Sequence, residues 1–401
     1  MGNTKKIIDN KLCLGCGLCE ALSGKDNVKM QLDKNGFFLP VGNILSKEES
    51  IIYKICPGIN IDNDISFDKN ESVWGRILDS FSAHSSDNEI RKKGSSGGVI
   101  SSIAIYLLEN KIIDSVLQIG GNPNDFQENT LKISNYKEDV LNCAASRYAP
   151  ALVFNNILDI LNKDENKYCF IGKPCDISGL KNLLKHYPQY NNRFVFFISI
   201  VCAGMPSFIA TEDAIDHFQT VKYPVKDLTY RGNGWPGYFS FLDSNNKKYQ
   251  MSYNDSWGNI LGKKIHFRCK ICPDGIGLQA DFVAGDAWET KNGYPDFSEK
   301  EGESLVITRT KQALDLFSKM IDEDKVRARK LDPERIKQMQ PFQYNRRSYV
   351  APRIIALLLI KRIFPSFRNT KIWHNLFNSS LKRSIREFIG TTRRLIIQNK
   401  N

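Results

Sequence analysis

The stretch Tyr168-Cys169-Phe170-Ile171-Gly172-Lys173-Pro174-Cys175-Asp176, running on to His186, decides the fold. Tyr168–Ile171 is a short apolar run closed by glycine, the pattern of a buried strand. Asp176–His186 repeats its apolar residues at helical spacing. Cys175 therefore sits at a strand-to-helix turn. The same alternation extends outward in both directions. Strands are expected at Ile112–Ile119, Phe194–Val201 and Val225–Tyr230, and helices at Glu138–Ser146, Val153–Asn162 and Ser207–Phe218. Strands alternating with helices build an α/β core on a largely parallel sheet. Val201-Cys202-Ala203-Gly204-Met205-Pro206-Ser207 places a second thiol after a strand. Sites in such sheets form at the carboxyl ends of strands, where both cysteines lie.

Residues 230–262 read differently. Tyr230-Arg231-Gly232-Asn233-Gly234-Trp235-Pro236-Gly237 is turn chemistry, followed by short antiparallel strands at Tyr238–Leu242 and Lys248–Ser252. Cys269-Lys270-Ile271-Cys272-Pro273 comes next. Strands Asp281–Ala284 and Ser304–Arg309 and a helix at Gln312–Asp322 complete the core.

Upstream, Cys13-Leu14-Gly15-Cys16-Gly17-Leu18-Cys19 is closed by Cys56-Pro57. Three thiols at x2 spacing wrap one loop around three corners of a [4Fe–4S] cube, and a distant Cys-Pro supplies the fourth. In two-cluster ferredoxins the run continues to another cysteine; here that position is Ser23, so a one-cluster module is expected. Gly15 and Gly17 relieve crowding where the backbone bends. A zinc knuckle and a disulfide loop are the alternatives, but zinc sites usually lack the third close cysteine and the Cys-Pro. A strand is expected at Gly36–Pro40, and Ser66–Asn88 reads as a polar connector.

Arg91-Lys92-Lys93-Gly94-Ser95-Ser96-Gly97-Gly98 opens an apolar helix beginning at Val99. Free amides at the helix start, flanked by Arg91 and Lys93, suit a phosphate or pyrophosphate, although Ser-Gly loops also simply cap helices. Cys175, Cys202, Cys269 and Cys272 form a candidate second [4Fe–4S] set drawn from scattered parts of the chain. The alternatives are a zinc site built on Cys269 and Cys272, and a reactive Cys175 at a helix start. Cys143 and Cys169 read as small core residues.

The chain of 401 residues is long enough for two or three domains with a sizeable core. Its net charge is +12, yet thirteen of the 56 Lys/Arg and only one of the 44 Asp/Glu, Glu387, lie in residues 341–401. The rest carries 43 of each and is neutral. Basicity confined to one end gives no reason to expect nucleic acid as a partner. The seven-residue run Ile354–Ile360 is too short to span a bilayer. Leu381–Gln398 repeats apolar residues at helical spacing with arginines between. It reads either as a helical appendage with a solvated face or as a basic surface for peripheral membrane contact. A polar N-terminus without an apolar signal core, together with metal-type cysteine spacings, leads to a cytoplasmic expectation, with peripheral contact at the inner membrane face.

The ordered motifs resemble the beta subunit family of coenzyme F420 hydrogenases and dehydrogenases, which includes 7-hydroxymethyl chlorophyll a reductase. The matching pieces are the N-terminal cysteines, Lys93–Val99, Ser146-Arg147-Tyr148-Ala149-Pro150, Gly172–Ile177, Cys202–Ser207, Cys269–Cys272, Asp281–Trp288, and Gly302–Val306 with Arg309. The resemblance implies FAD beside the [4Fe–4S] clusters. It further implies a redox donor such as ferredoxin, a small organic acceptor, and a setting in surface-polysaccharide biosynthesis for many bacterial members. On that basis Lys93, Ser95, Ser96, Gly97 and Gly98 would cradle flavin phosphates. Arg147 and Tyr148 would contact flavin or substrate, and Lys173 would supply a cation beside a reduced flavin. His266, Tyr230 and Asp286 are weaker proton-donor candidates. An electron-transfer subunit serving a partner or a deazaflavin, and a non-catalytic scaffold of a glycan-assembly complex, are the alternative functions. The expected architecture is α+β/α/β. It comprises a ferredoxin-like [4Fe–4S] module over residues 1–70, a central α/β flavin- and cluster-binding domain with a mixed sheet over 71–340, and a basic helical extension over 341–401.

Overall fold

The computed structural model describes residues 3–64, 73–232, 234–377 and 379–397. Part of the expected connector (66–72), Asn233 of the turn segment, and Asn378 and 398–401 of the extension lie outside them.

An eight-stranded mixed sheet forms the centre. Its strands are β1 (Asp79–Ser85), β2 (Ser115–Asn122), β3 (Asp125–Ser134), β4 (Tyr168–Gly172), β5 (Phe194–Ile200), β6 (Phe282–Asp286), β7 (Ser304–Thr308) and β8 (Val326–Lys330). They lie in the order β8-β1-β7-β6-β5-β4-β2-β3. The four central strands β6, β5, β4 and β2 run parallel. Antiparallel pairs flank them on both sides.

Alternating side chains divide the strands between two cores. Cys169 and Ile171 of β4, Ile198 of β5 and Phe282 of β6 pack beneath helices α1 (Val99–Glu109) and α4 (Lys311–Asp322). Tyr168 and Phe170 face the opposite way, onto α2 (Pro174–His186). Helix α3 (Phe208–Asp216) belongs to a separate core, built with the antiparallel strands Lys226–Thr229, Phe239–Leu242 and Lys248–Met251. The expected strand Val225–Tyr230 therefore forms, but outside the main sheet.

Two expectations fail for identifiable reasons. The Ser66–Asn88 connector contains β1, an inner strand whose serines hide its alternation. Their hydroxyls are satisfied inside the protein: Ser80 donates to the Leu331 carbonyl at 2.6 Å, and Ser82 donates to Glu303 at 2.8 Å. The helix expected from Val153 begins only at Ile157, because the Val153 and Phe154 amides donate to the Cys16 carbonyl at 3.1 and 2.8 Å.

The N-terminal residues form helices Leu18–Ser23 and Ser46–Ile55 around a hairpin of Val28–Leu32 and Phe38–Gly42. Helices α5 (Pro341–Ser348), α6 (Val350–Lys361) and α7 (Leu381–Ile397) follow the central body. They are built into the fold rather than appended to it. Strand Ser366–Arg368 pairs in parallel with Asn60–Asp62. The buried Arg347 donates to the carbonyls of Val73 at 2.7 Å and Thr370 at 3.2 Å, and to that of Pro273. Among the described residues no helix is long and apolar enough to cross a membrane.

Candidate functional site

Three cavities lie side by side. Cys13, Cys16, Cys19 and Cys56 line the first, together with Leu14, Leu18, Met30 and Ile52. Gly15 and Gly17 turn the loop with φ of 66° and 89°. A Cβ at Gly17 would meet the Asn155 nitrogen at 2.7 Å, so this close approach requires glycine. Cys56 follows directly on helix Ser46–Ile55 and caps it.

Cys175, Cys202, Cys269 and Cys272 line the second cavity with Lys173, Asp176, Arg268 and Arg346. The sheet topology brings them together. Cys175 opens α2 beyond β4, Cys202 follows β5, and Cys269 lies on the short helix Phe267–Lys270. The Cys202 amide donates to the Gly275 carbonyl at 2.9 Å, which holds the loops on either side of the cavity. Arg346 of α5 donates to the carbonyls of Cys202 at 3.3 Å and Ala203 at 2.5 Å. Arg268 donates to the Gly58 and Pro57 carbonyls at 2.5 and 3.1 Å, joining the second cavity to the first module.

The chemistry of both thiol sets fits a cationic centre. Burial, and then the neighbouring Cys56, push the Cys13 thiol up to about 12. Burial, and then Cys269, do the same to Cys202, also to about 12. Burial, and then Asp176, raise Cys175 well above the ordinary thiol range. Such groups repel one another as thiolates and ionise together only when positive charge is bound among them. Among the described residues no three His, Cys, Asp or Glu side chains are drawn in tightly enough for a single metal ion. Four cysteines line each of two cavities, a donor set that fits an iron–sulfur cluster.

The third cavity is a cleft of about 680 Å³ beyond the carboxyl ends of the parallel strands. That volume is in the range of small-molecule and cofactor sites. Ser95, Ser96 and Gly98 line it, as do Arg147, Tyr148 and Lys173. Gly98 caps α1 with φ of 74° and brings no side-chain acceptor to the first-turn amides. The loop's hydroxyls are already engaged: Ser95 accepts from the Ser146 amide, and Ser96 bonds Ser304 at 2.8 Å. What the loop offers a ligand is therefore the Ser95 hydroxyl proton, its backbone and the helix start. Arg147 carries a buried Nε with no hydrogen-bond partner. Burial pulls the Lys173 ammonium down, but Asp176, 2.8 Å away, and Cys175 outweigh it and hold the group charged.

Other expected residues lie elsewhere. Lys93 does not line the cleft; it is exposed, 3.9 Å from Glu89. Gly97 does not line it either. A Cβ there would meet the Ala83 carbonyl oxygen at 2.4 Å, so its part is close packing against β1. Tyr230 is buried against Thr211, their hydroxyls 2.8 Å apart, and His266 accepts from the Arg268 amide at 3.2 Å. Cys169 is a core residue. Cys143 is not: the helix expected to contain it stops at Asn142, and Cys143 lines the cleft.

Sequence reasoning gave no role to Arg231, which organises the cleft floor. It donates to both Asp286 oxygens at 2.9 and 2.7 Å, to the Pro236 carbonyl at 2.7 Å and to the Ser95 carbonyl at 2.5 Å. Trp235 donates to Asp286 at 2.7 Å and stacks on Trp288. The available signal was an arginine opening a Gly/Trp turn, with Asp286 in the distant Gly-Asp-Ala-Trp. Gln343 and Arg346 were missed because nothing local places α5 on the cleft wall.

Two family models match this chain. Residues 80–158 match the N-terminal part, and 165–334 the C-terminal part, of the coenzyme F420 hydrogenase/dehydrogenase beta subunit. The first thiol set and helices α5–α7 lie outside those residues. Coenzyme F420 hydrogenase subunit beta of Methanococcus voltae is 23% identical over 265 residues, 65% of this chain and 86% of that protein. F420-dependent formate dehydrogenase 1 subunit beta of Methanococcus maripaludis is 26% identical over 203 residues, half of each chain. A chain of the F420-reducing [NiFe] hydrogenase complex from Methanosarcina barkeri superposes with a TM-score of 0.54 at 20% identity, covering 71% of this chain and 95% of that one. The likeness is one of fold. With more than half of its residues matched, the chain belongs to the coenzyme F420 hydrogenase/dehydrogenase beta subunit family.

Proposed function

We propose that this protein is an iron–sulfur flavoprotein oxidoreductase subunit. Cys13, Cys16, Cys19 and Cys56 would hold one [4Fe–4S] cluster, Cys175, Cys202, Cys269 and Cys272 a second, and the cleft FAD and a small organic acceptor. One observation carries the reading: the three cavities share walls in a line. Leu14 and Cys16 line both the first and the second. Lys173, Asp176, Cys202 and Arg346 line both the second and the cleft. Bound there, these groups would supply the conversion between one-electron and two-electron transfer.

The chain's own residues divide the remaining work. The amides opening α1 and the Arg147 guanidinium offer donors to phosphate or ring oxygens. Lys173 keeps a positive charge between the second thiol set and the cleft. Arg231 holds Asp286 and the Ser95 carbonyl, and so fixes the loop against the floor. A ferredoxin-like donor would meet the first module, in the reducing cytoplasm that free thiol ligands require. The names of the relatives favour one narrower alternative, in which the acceptor is the deazaflavin coenzyme F420 itself. Those names carry no polysaccharide role, and no cleft residue singles out a sugar.

Anaerobic purification followed by iron, sulfide and flavin analysis tests the reading. About eight irons and one flavin per chain are expected. Cys13→Ser with Cys16→Ser should leave about four irons. Four irons in the unaltered protein would remove one cluster, and a flavin-free protein would favour the scaffold function.

A further inference from the structure

We infer that α7 and its neighbours form a docking face for an anionic lipid bilayer. The helix buries one side only: Ser384, Thr391 and Leu395 face the protein. Leu381, Ile385, Ile389 and Ile396 are exposed by 75%, 51%, 59% and 45%. At 3.6 residues per turn these four fall within a sector of about 80°. Lys382, Arg386 and Arg393, all exposed, fall beside that sector. The preceding helix Ile372–Phe377 also exposes Trp373 and Phe377, the latter by 85%. An apolar stripe open to water with cations along its edge is the arrangement of helices that lie in a membrane interface, where the aliphatic residues enter the acyl boundary and the cations meet headgroups.

Charge selects this occupant over a second copy of the chain. Residues 341–401 hold thirteen basic residues and one acidic one. That acid, Glu387, is turned inward, with its carboxylate 2.9 Å from Arg353. It therefore does little to offset the outer cations. Self-association through this face would set Lys382, Arg386 and Arg393 against the same cations of a second copy, which is unfavourable, whereas an anionic surface neutralises these three. The geometry also orients the molecule. Leu395 and Phe388 of α7 join Leu12 and Ile59 in the core that touches Cys13 and Cys56. Docking through the outer side of α7 thus turns the first cysteine site toward the membrane surface. This inference is independent of which cofactors the cavities hold.

Removing the whole extension would delete the buried Arg347 and Leu395 and strand their partners in the body, among them the Val73 and Pro273 carbonyls and Leu12, so surface substitutions are the cleaner test. Full-length protein is floated with vesicles of phosphatidylcholine alone and of phosphatidylcholine mixed with phosphatidylserine. Binding to the mixed vesicles and release by salt are expected. Ile385→Asp with Ile389→Asp should weaken binding by at least roughly tenfold. Lys382→Gln, Arg386→Gln and Arg393→Gln together should cost roughly fivefold per charge. Circular dichroism and thermal melting report on folding. If the aspartate variant does not fold, the glutamine variant carries the test alone. Failure to float with mixed vesicles, equal binding by the variants, or a concentration-dependent dimer abolished by the same substitutions would overturn the inference.

Discussion

Arg231→Met is the most revealing single change in the cleft. The guanidinium is 3% exposed and ion-pairs with Asp286 at 2.7 Å. It also lies 4.9 Å from the Tyr253 ring centroid and 5.4 Å from that of Trp288. Burial pulls its pKa down, but Asp286 outweighs burial and holds the group charged. Methionine replaces much of the stem and none of the donors. Asp286 would retain the Trp235 indole donor and lose both guanidinium bonds, while the carbonyls of Ser95 and Pro236 would lose a charged donor. Removing one member of a buried, hydrogen-bonded pair costs about 3–5 kcal/mol, because the remaining charge is stranded. Arg231→Met combined with Asp286→Leu removes both charges and should recover part of that loss, leaving a deficit of about 1–3 kcal/mol from the unpaired carbonyls and the Trp235 indole N–H. Denaturant unfolding of the three proteins measures each step, with the slope checked for constancy. A single variant within about 1 kcal/mol of the parent, or a double variant less stable than the single, would refute the view that this pair holds the cleft floor.

Two further changes probe the scaffold around the site. Gly97→Ala places a Cβ 2.4 Å from the Ala83 carbonyl oxygen and 2.9 Å from the Ser304 nitrogen, so a loss of about 1–3 kcal/mol is expected. Gly24→Ala, at φ of 78° with nothing within 4 Å, should cost only about 1 kcal/mol of backbone strain, and equal losses in thermal melts would contradict the packing argument. Arg268→Met removes a charged donor from the Gly58 and Pro57 carbonyls, at about 1.5–3 kcal/mol each. Hydrogen exchange should then quicken in the segment around Cys56, and an unchanged pattern would show that the first module is held in place by other contacts.

Local chemistry made much of this protein legible. Period-2 and period-3.6 patterns depend on near neighbours, so β4, α2, α1 and the parallel centre of the sheet could be read directly. The x2 spacing of Cys13, Cys16 and Cys19 likewise places three thiols within one loop. β1 escaped notice because its buried Ser80 and Ser82 find partners more than 200 residues away, a compensation that no local window contains. Cys143 was misplaced because the helix expected to run to Ser146 ends at Asn142.

By itself, then, the sequence determined the α/β class, the cysteine inventory, the Ser-Gly turn and the concentration of positive charge at one end. Each of these follows from residue type and short-range spacing. Only the tertiary structure decided that Cys175, Cys202, Cys269 and Cys272 share one cavity, because their meeting depends on the parallel order of β4, β5 and β6. It likewise decided that Arg231 reaches Asp286, that Arg346 joins the wall between the second thiol set and the cleft, and that the apolar stripe of α7 faces outward. These are long-range contacts, fixed by how the cores pack together.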